Sequence, residues 1–117
     1  MAEAGLFIGW GQVVRGREER ALEVFNRSVE YWGSLQGDGK IEDFEVVLLT
    51  PHGGDLAGYA MLRGTPEQMD ALRRDEEFER RNTEADLIVE GYGIVDADLN
   101  EGLGRGMSIS QDEIAKL

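Results

Sequence analysis

The spacing of apolar positions changes along this chain, and the changes predict its elements. Leu6 to Val14 has strand composition, weakened by glycines at 9 and 11. From Arg17 to Leu35 the period becomes helical, with Ala21, Leu22, Phe25, Val29, Trp32 and Leu35 three or four residues apart. Gln36-Gly37-Asp38-Gly39 ends that helix, since glycine commonly follows the last helical turn. Ile41 to Thr50, rich in β-branched and aromatic residues, predicts a second strand. Pro51-His52-Gly53-Gly54-Asp55 is turn chemistry, and Ala57 to Arg63 reads as the returning arm of a hairpin. Thr65-Pro66-Glu67-Gln68 then opens a helix: the threonine caps it, the proline fits the first helical position, and the glutamine completes a capping box. Met69, Leu72 and Phe78 form the buried stripe of this helix. A short turn at Thr83 to Asp86 leads into a last strand, Leu87 to Ala97. From Asn100 the glycine-rich run to Gly106 is expected to be loose, with Ser110 and Glu113 capping a helical stub.

The resulting order, β-α-β-β-α-β, is the ferredoxin-like split βαβ arrangement, an α+β fold. Right-handed crossovers give an antiparallel sheet of order 4-1-3-2. Residues 1–98 form the single domain and residues 99–117 a C-terminal tail. Two triplets, Gly9-Trp10-Gly11 and Gly91-Tyr92-Gly93, then lie side by side on the first and last strands. Alternation along each strand assigns the faces. Phe7, Val13, Phe44, Val46, Leu48, Ala60, Leu62, Val89 and Val95, with glycines 9, 11, 91 and 93, form an apolar face expected to carry the helices, the glycines admitting a close helix. The opposite face mixes Ile8, Trp10, Gln12, Asp43, Glu45, Val47, Tyr59, Met61, Arg63, Glu90, Tyr92, Ile94 and Asp96. A half-apolar face open to water marks a partner or ligand surface, and a twofold homodimer with its open faces packed together covers it.

Composition narrows the function. The 117 residues carry a net charge of −12, which disfavours nucleic acid and anionic membrane as partners. Solubility is the simplest reason for that charge. No apolar run reaches the roughly 20 residues of a membrane helix, and Met1-Ala2-Glu3-Ala4 lacks the basic start of a secretory signal. A cytoplasmic location is expected. The absence of cysteine removes disulfides, thiolate metal sites and cysteine nucleophiles. No motif asks for a cofactor, and the carboxylates show no familiar metal-ligand spacing.

Over residues 6–98, element order and face polarity resemble the dimeric α+β-barrel superfamily of ferredoxin-like proteins. That resemblance implies a dimer and a range of roles, including cofactor-independent monooxygenases, heme-handling enzymes and muconolactone isomerase-like enzymes. Over residues 31–98, the run Gly39-Lys40-Ile41-Glu42-Asp43-Phe44, the glycine-containing hairpin and Leu72-Arg73-Arg74-Asp75-Glu76-Glu77-Phe78 are similar to the YCII-related group. That group has Asp-Pro-Phe at this place and a histidine on its first helix. Here glutamate replaces the proline and the first helix has no histidine, so only Asp75 of the group's His-Asp pair carries over.

The candidate chemistry is sparse. His52 is the only histidine and the natural acid-base group, with Asp55 three residues on to orient it; equally, it sits in a plain hairpin loop. Trp10, Gln12, Tyr59 and Tyr92 are candidates to line a cavity between sheet and partner, where rings stack on flat ligands and phenols exchange protons. The same rings also serve as ordinary interface packing. Arg63 shares a face with Asp43 and Glu45, where it forms an ion-pair network or grips a ligand carboxylate. If a reaction occurs, His52, Tyr59 and Arg63 are its candidate catalytic groups. Two functions therefore stand: binding of a small, possibly aromatic molecule in a dimer-barrel cavity, with or without cofactor-independent chemistry, or a non-catalytic structural or regulatory homodimer whose barrel is filled by its own side chains.

Overall fold

A computed structural model describes residues 1–117. Its elements are β1 (Ala4–Trp10), α1 (Glu18–Gly37), β2 (Asp43–Leu48), β3 (Gly58–Gly64), α2 (Pro66–Arg73), α3 (Glu76–Asp86), β4 (Gly93–Asp98) and α4 (Glu101–Ile114). The four strands form one antiparallel sheet in the order β2-β3-β1-β4, which is the expected 4-1-3-2 order read from the other edge. This is the ferredoxin-like α+β fold.

The register decides the faces. Across β1 and β3, Leu6 pairs with Leu62 and Ile8 with Ala60; across β1 and β4, Ile8 pairs with Ile94. Directly opposed residues share a face, so Leu6, Ile8 and Trp10 join Phe44, Val46, Ala60, Leu62 and Ile94 on the helix side. Leu6, Ile8, Ala60 and Leu62 are buried to 1% exposure or less. The open side holds Phe7, Tyr59, Met61, Arg63, Asp43, Glu45, Val47 and Val95. The expectation for β2 and β3 is met; for β1 and β4 it is corrected by one residue, which moves Trp10, Ile8 and Ile94 to the helix side and Phe7 and Val95 to the open side. The physical reason is that β1 is a central strand with apolar residues of both parities, so alternation alone does not choose between them. A one-residue shift exchanges every side chain.

The long first and last strands predicted from the sequence are each broken. Beyond β1 the chain makes a separate short ladder with residues 88–90, in which the amide of Gly11 donates to the Glu90 carbonyl (2.7 Å), Glu90 to Gln12 (2.8 Å) and Val14 to Ile88 (2.9 Å). Gly91, at φ +63°, separates that ladder from β4. The glycines of the first triplet do not admit a helix. A Cβ on Gly9 would strike the Phe7 ring, and one on Gly11 would meet the carbonyl oxygens of Glu90 and Asp55 at 2.7 and 2.9 Å.

The second helix is likewise two. The Thr65–Gln68 capping box forms as read from the sequence, but Asp75 starts a new helix by accepting from the Phe78 amide (3.3 Å). Phe78 is then buried to 2% exposure beneath it. The tail is not loose. Asn100 turns the chain at φ +51° and ψ −118°, the first central position of a type II′ turn, where Gly, Asn and Asp predominate, and its side-chain amide donates to the Ala2 carbonyl. The helix α4 that follows buries none of its residues and leaves Leu103, Met107, Ile109 and Ile114 more than half exposed.

Gly11→Ala is expected to lower stability by about 1–3 kcal/mol in chemical denaturation, because a backbone carbonyl must move to admit the methyl group. Gly93→Ala, where a Cβ meets nothing within 4 Å, should stay within about 0.5 kcal/mol of the parent.

Candidate functional site

The core is divided. Its larger cluster of 11 buried residues includes Leu6, Ile8, Tyr31, Trp32, Leu62 and Phe78, while Ala21, Val24 and Ile88 form a separate cluster of 3. A cavity of about 490 Å³ opens between them, with Ile8 and Trp32 of the first cluster and Ala21, Val24 and Ile88 of the second in its walls. This volume lies within the range of small-molecule sites, about 300–1,000 Å³. It stays open because small residues (Ala21, Ser28, Ala57 and Ala85) occupy positions where larger side chains would fill it.

One face of α1 forms a long wall. Glu18, Ala21, Phe25, Ser28 and Trp32 follow one another by three or four residues, so they project to the same side. Opposite them stand Ile8 and Trp10 of β1, then Ile88, Val89 and Tyr92 from the segment between α3 and β4. The ring of Trp10 meets Phe25 edge-on at 6.2 Å and 70°. It also lies against Gly58, its cross-strand partner, where a Cβ would come within 2.8 Å of the indole. Gly58 thus keeps the indole flat over the sheet. The Tyr92 hydroxyl donates to Asn82 Oδ1 (2.8 Å) on α3. Burial, and then the negative charge of Asp86, push its phenol well above the ordinary tyrosine range.

The candidate residues read from the sequence fall into three places. Trp10, Gln12 and Tyr92 come together in the cavity, on the helix side and within one protomer rather than between the sheet and a partner. Tyr59 and Arg63 stand on the open face. There Tyr59 stacks on Phe7 (5.0 Å, 28°), and Arg63 pairs with Asp43 (3.2 Å) and Glu45 (3.3 Å), the ion-pair network read from the sequence. His52 is in neither place. Its Nδ1 accepts from the Gly54 amide (3.2 Å), so Nε2 carries the proton and donates to the Leu56 carbonyl (2.8 Å). Asp55 is not its partner, and both ring nitrogens are occupied by the backbone of its own loop. Phe25, Ser28, Trp32 and Ile88 line the cavity without having been singled out as site residues. The signal for Phe25 and Trp32 was present in the helical stripe of α1, where it reads equally as core.

The likeness of this chain to known proteins lies in its fold. No protein-family model matches it, and no curated protein matches it. Solved structures do. A dimeric protein of unknown function with a ferredoxin-like fold from Bacteroides fragilis NCTC 9343 superposes with a TM-score of 0.60 at 16% identity, covering 82% of this chain and 96% of that one. A candidate antibiotic biosynthesis monooxygenase from Chloroflexus aurantiacus J-10-fl gives 0.53 at 13% identity, over 83% and 93% of the two chains. SnoaB, a cofactor-independent oxygenase from Streptomyces nogalater, gives 0.52 at 14% identity, over 85% and 95%. No helix is long and apolar enough to cross a membrane.

The buried phenol of Tyr31 and the half-buried one of Tyr92 make an alkaline limit. Burial, with Asp75 and then Glu77, pushes Tyr31 up to about 12, and Tyr92 is raised as well. Both folded values exceed the unfolded value of about 10, so the stability tied to the neutral phenols is whole below pH about 10 and is lost as pH rises from there toward about 12 and beyond. Denaturant midpoints measured from neutral to alkaline pH should fall in that window. In Tyr92→Phe the fall should be shallower, at the cost of about 1 kcal/mol at neutral pH for the lost Asn82 bond.

Proposed function

We propose that this protein binds a small, largely apolar and aromatic molecule in the cavity between its sheet and α1, and that two copies pair through their open sheet faces. The observation that carries the binding reading is the cavity itself: about 490 Å³, with 15 hydrophobic residues among the 19 that line it and four aromatic rings, Trp10, Phe25, Trp32 and Tyr92, in its walls. Rings in such a pocket stack on flat ligands in offset or edge-on geometry. The alternative drawn from the sequence, a non-catalytic structural or regulatory homodimer whose barrel is filled by its own side chains, concerns the space between the open faces and is compatible with this cavity on the helix side.

Pairing rests on the open face, where Phe7, Tyr59, Met61 and Val47 are only half-buried and Val95 is 58% exposed. A contiguous face of this kind is usually covered, and the Bacteroides fragilis neighbour is dimeric. Arg63, Asp43 and Glu45 would then form part of the contact, and the ligand site would remain inside each protomer.

Chemistry without a cofactor is a second reading, favoured by SnoaB, a cofactor-independent oxygenase that shares the fold. In this chain it would fall to Tyr92, Gln12 and Ser28 acting on a molecule held between the indoles, because Tyr59, Arg63 and His52 lie outside the cavity. The likeness to YCII-related proteins adds no group to that set: Asp75, the one residue carried over, caps α3.

Two variants test the two halves separately. Val95→Glu should convert a species of twice the 13.0 kDa chain mass to a monomer in sedimentation while leaving the cavity intact. Ser28→Leu, which narrows the cavity at the middle of its α1 wall, should weaken binding of a naphthalene-sized ligand at least about tenfold in calorimetry without changing the sedimentation mass. Unchanged affinity in Ser28→Leu would remove the cavity from the binding role.

A further inference from the structure

The lining of the proposed pocket carries a charge pattern that bears on what can enter. Beside its 15 hydrophobic residues it holds only Gly11, Gln12, Ser28 and Glu18, with no lysine, arginine or histidine. Glu18 is the single charged side chain. It stands at the exposed start of α1, and the Gly16 amide donates to its Oε1 (2.8 Å), which fixes the carboxylate in place. Arg15, Arg17 and Arg20 are near in sequence but outside the lining. Arg17 bonds the neutral Leu87 carbonyl and keeps its charge, and Arg20 is paired with Glu23 and Glu84, but neither reaches into the lining, so no cation stands inside the cavity.

A ligand carboxylate entering this cavity would give up its hydration with no cation to replace it. On the way it would also pass a fixed charge of its own sign. We propose that the pocket selects uncharged, mainly apolar molecules, and that Glu18 is the specificity-determining residue that turns carboxylates away at the entrance. This rests on the pocket reading given above and adds the ligand class and the residue that sets it. Glu18 also begins α1, where an acidic side chain suits the positive end of the helix. Its structural duty, accepting from Gly16, can be met by a neutral amide, so Glu18→Gln separates the two roles.

The test uses the full chain and two probes of nearly equal shape, naphthalene-2-carboxamide and naphthalene-2-carboxylate, in calorimetric titrations at neutral pH and low ionic strength. The parent protein should bind the carboxamide at least about tenfold more tightly than the carboxylate. Glu18→Gln should tighten carboxylate binding about threefold and leave the carboxamide unchanged. That gain should shrink at about 0.15 M salt, where screening acts over about 8 Å. Asp112→Asn on α4, an element that contributes nothing to the pocket lining, removes the same charge and should leave both affinities as they are.

Equal binding of the two probes by the parent protein would overturn the charge selection while leaving the pocket standing. Equal gains in Glu18→Gln and Asp112→Asn would show that the overall negative charge, not Glu18, is the filter. Failure of both probes to bind would overturn the pocket reading and this one together.

Discussion

The pairing of Leu6 with Leu62 and Ile8 with Ala60 is the constraint from which the rest of this structure follows. These four residues exclude water almost completely and form the apolar layer on which α1 and α2 rest. Burying each of the larger three contributes on the order of 1.5–3 kcal/mol, so a shift of one residue, which would carry them to the open side, is strongly opposed. Once this register holds, Trp10 must face the helices and Tyr59 and Arg63 must face away. The separation of the candidate residues into two surfaces is therefore a consequence of packing at the centre of the sheet.

Much of the architecture was legible in the chain. The helical period of α1, the hairpin signals around Gly53 and Gly54, and the Thr65–Gln68 box each act locally, and each appears where local chemistry places it. The faces of β2 and β3 were also readable, because Asp43, Glu45 and Arg63 alternate with Phe44, Val46 and Leu62. In β1 and β4 no such contrast exists: Phe7 and Ile8 are both apolar, as are Ile94 and Val95. Their direction is set by partners distant in sequence. For the same reason alternation puts Trp10 and Tyr92 on one face of the sheet, while the layer that face meets, the helix side, follows only from the register.

The cavity was the least legible feature. It arises from what is missing between two core clusters, and an absence of side-chain volume leaves no periodic trace. Ala21, Ala57 and Ala85 read as ordinary helix or strand residues in the sequence, yet together they leave the gap. Asp75 teaches the reverse lesson. A residue that looks chemical in sequence proves to hold the first turn of α3, a duty for which aspartate is among the best side chains.

The two tryptophans, Trp10 and Trp32, are the only ones in the chain, and both stand in the cavity wall. All of the protein's indole emission therefore originates at the one place where occupancy would change the surroundings of an indole, with no distant tryptophan to dilute the signal. The fold thus carries an optical probe of its own interior.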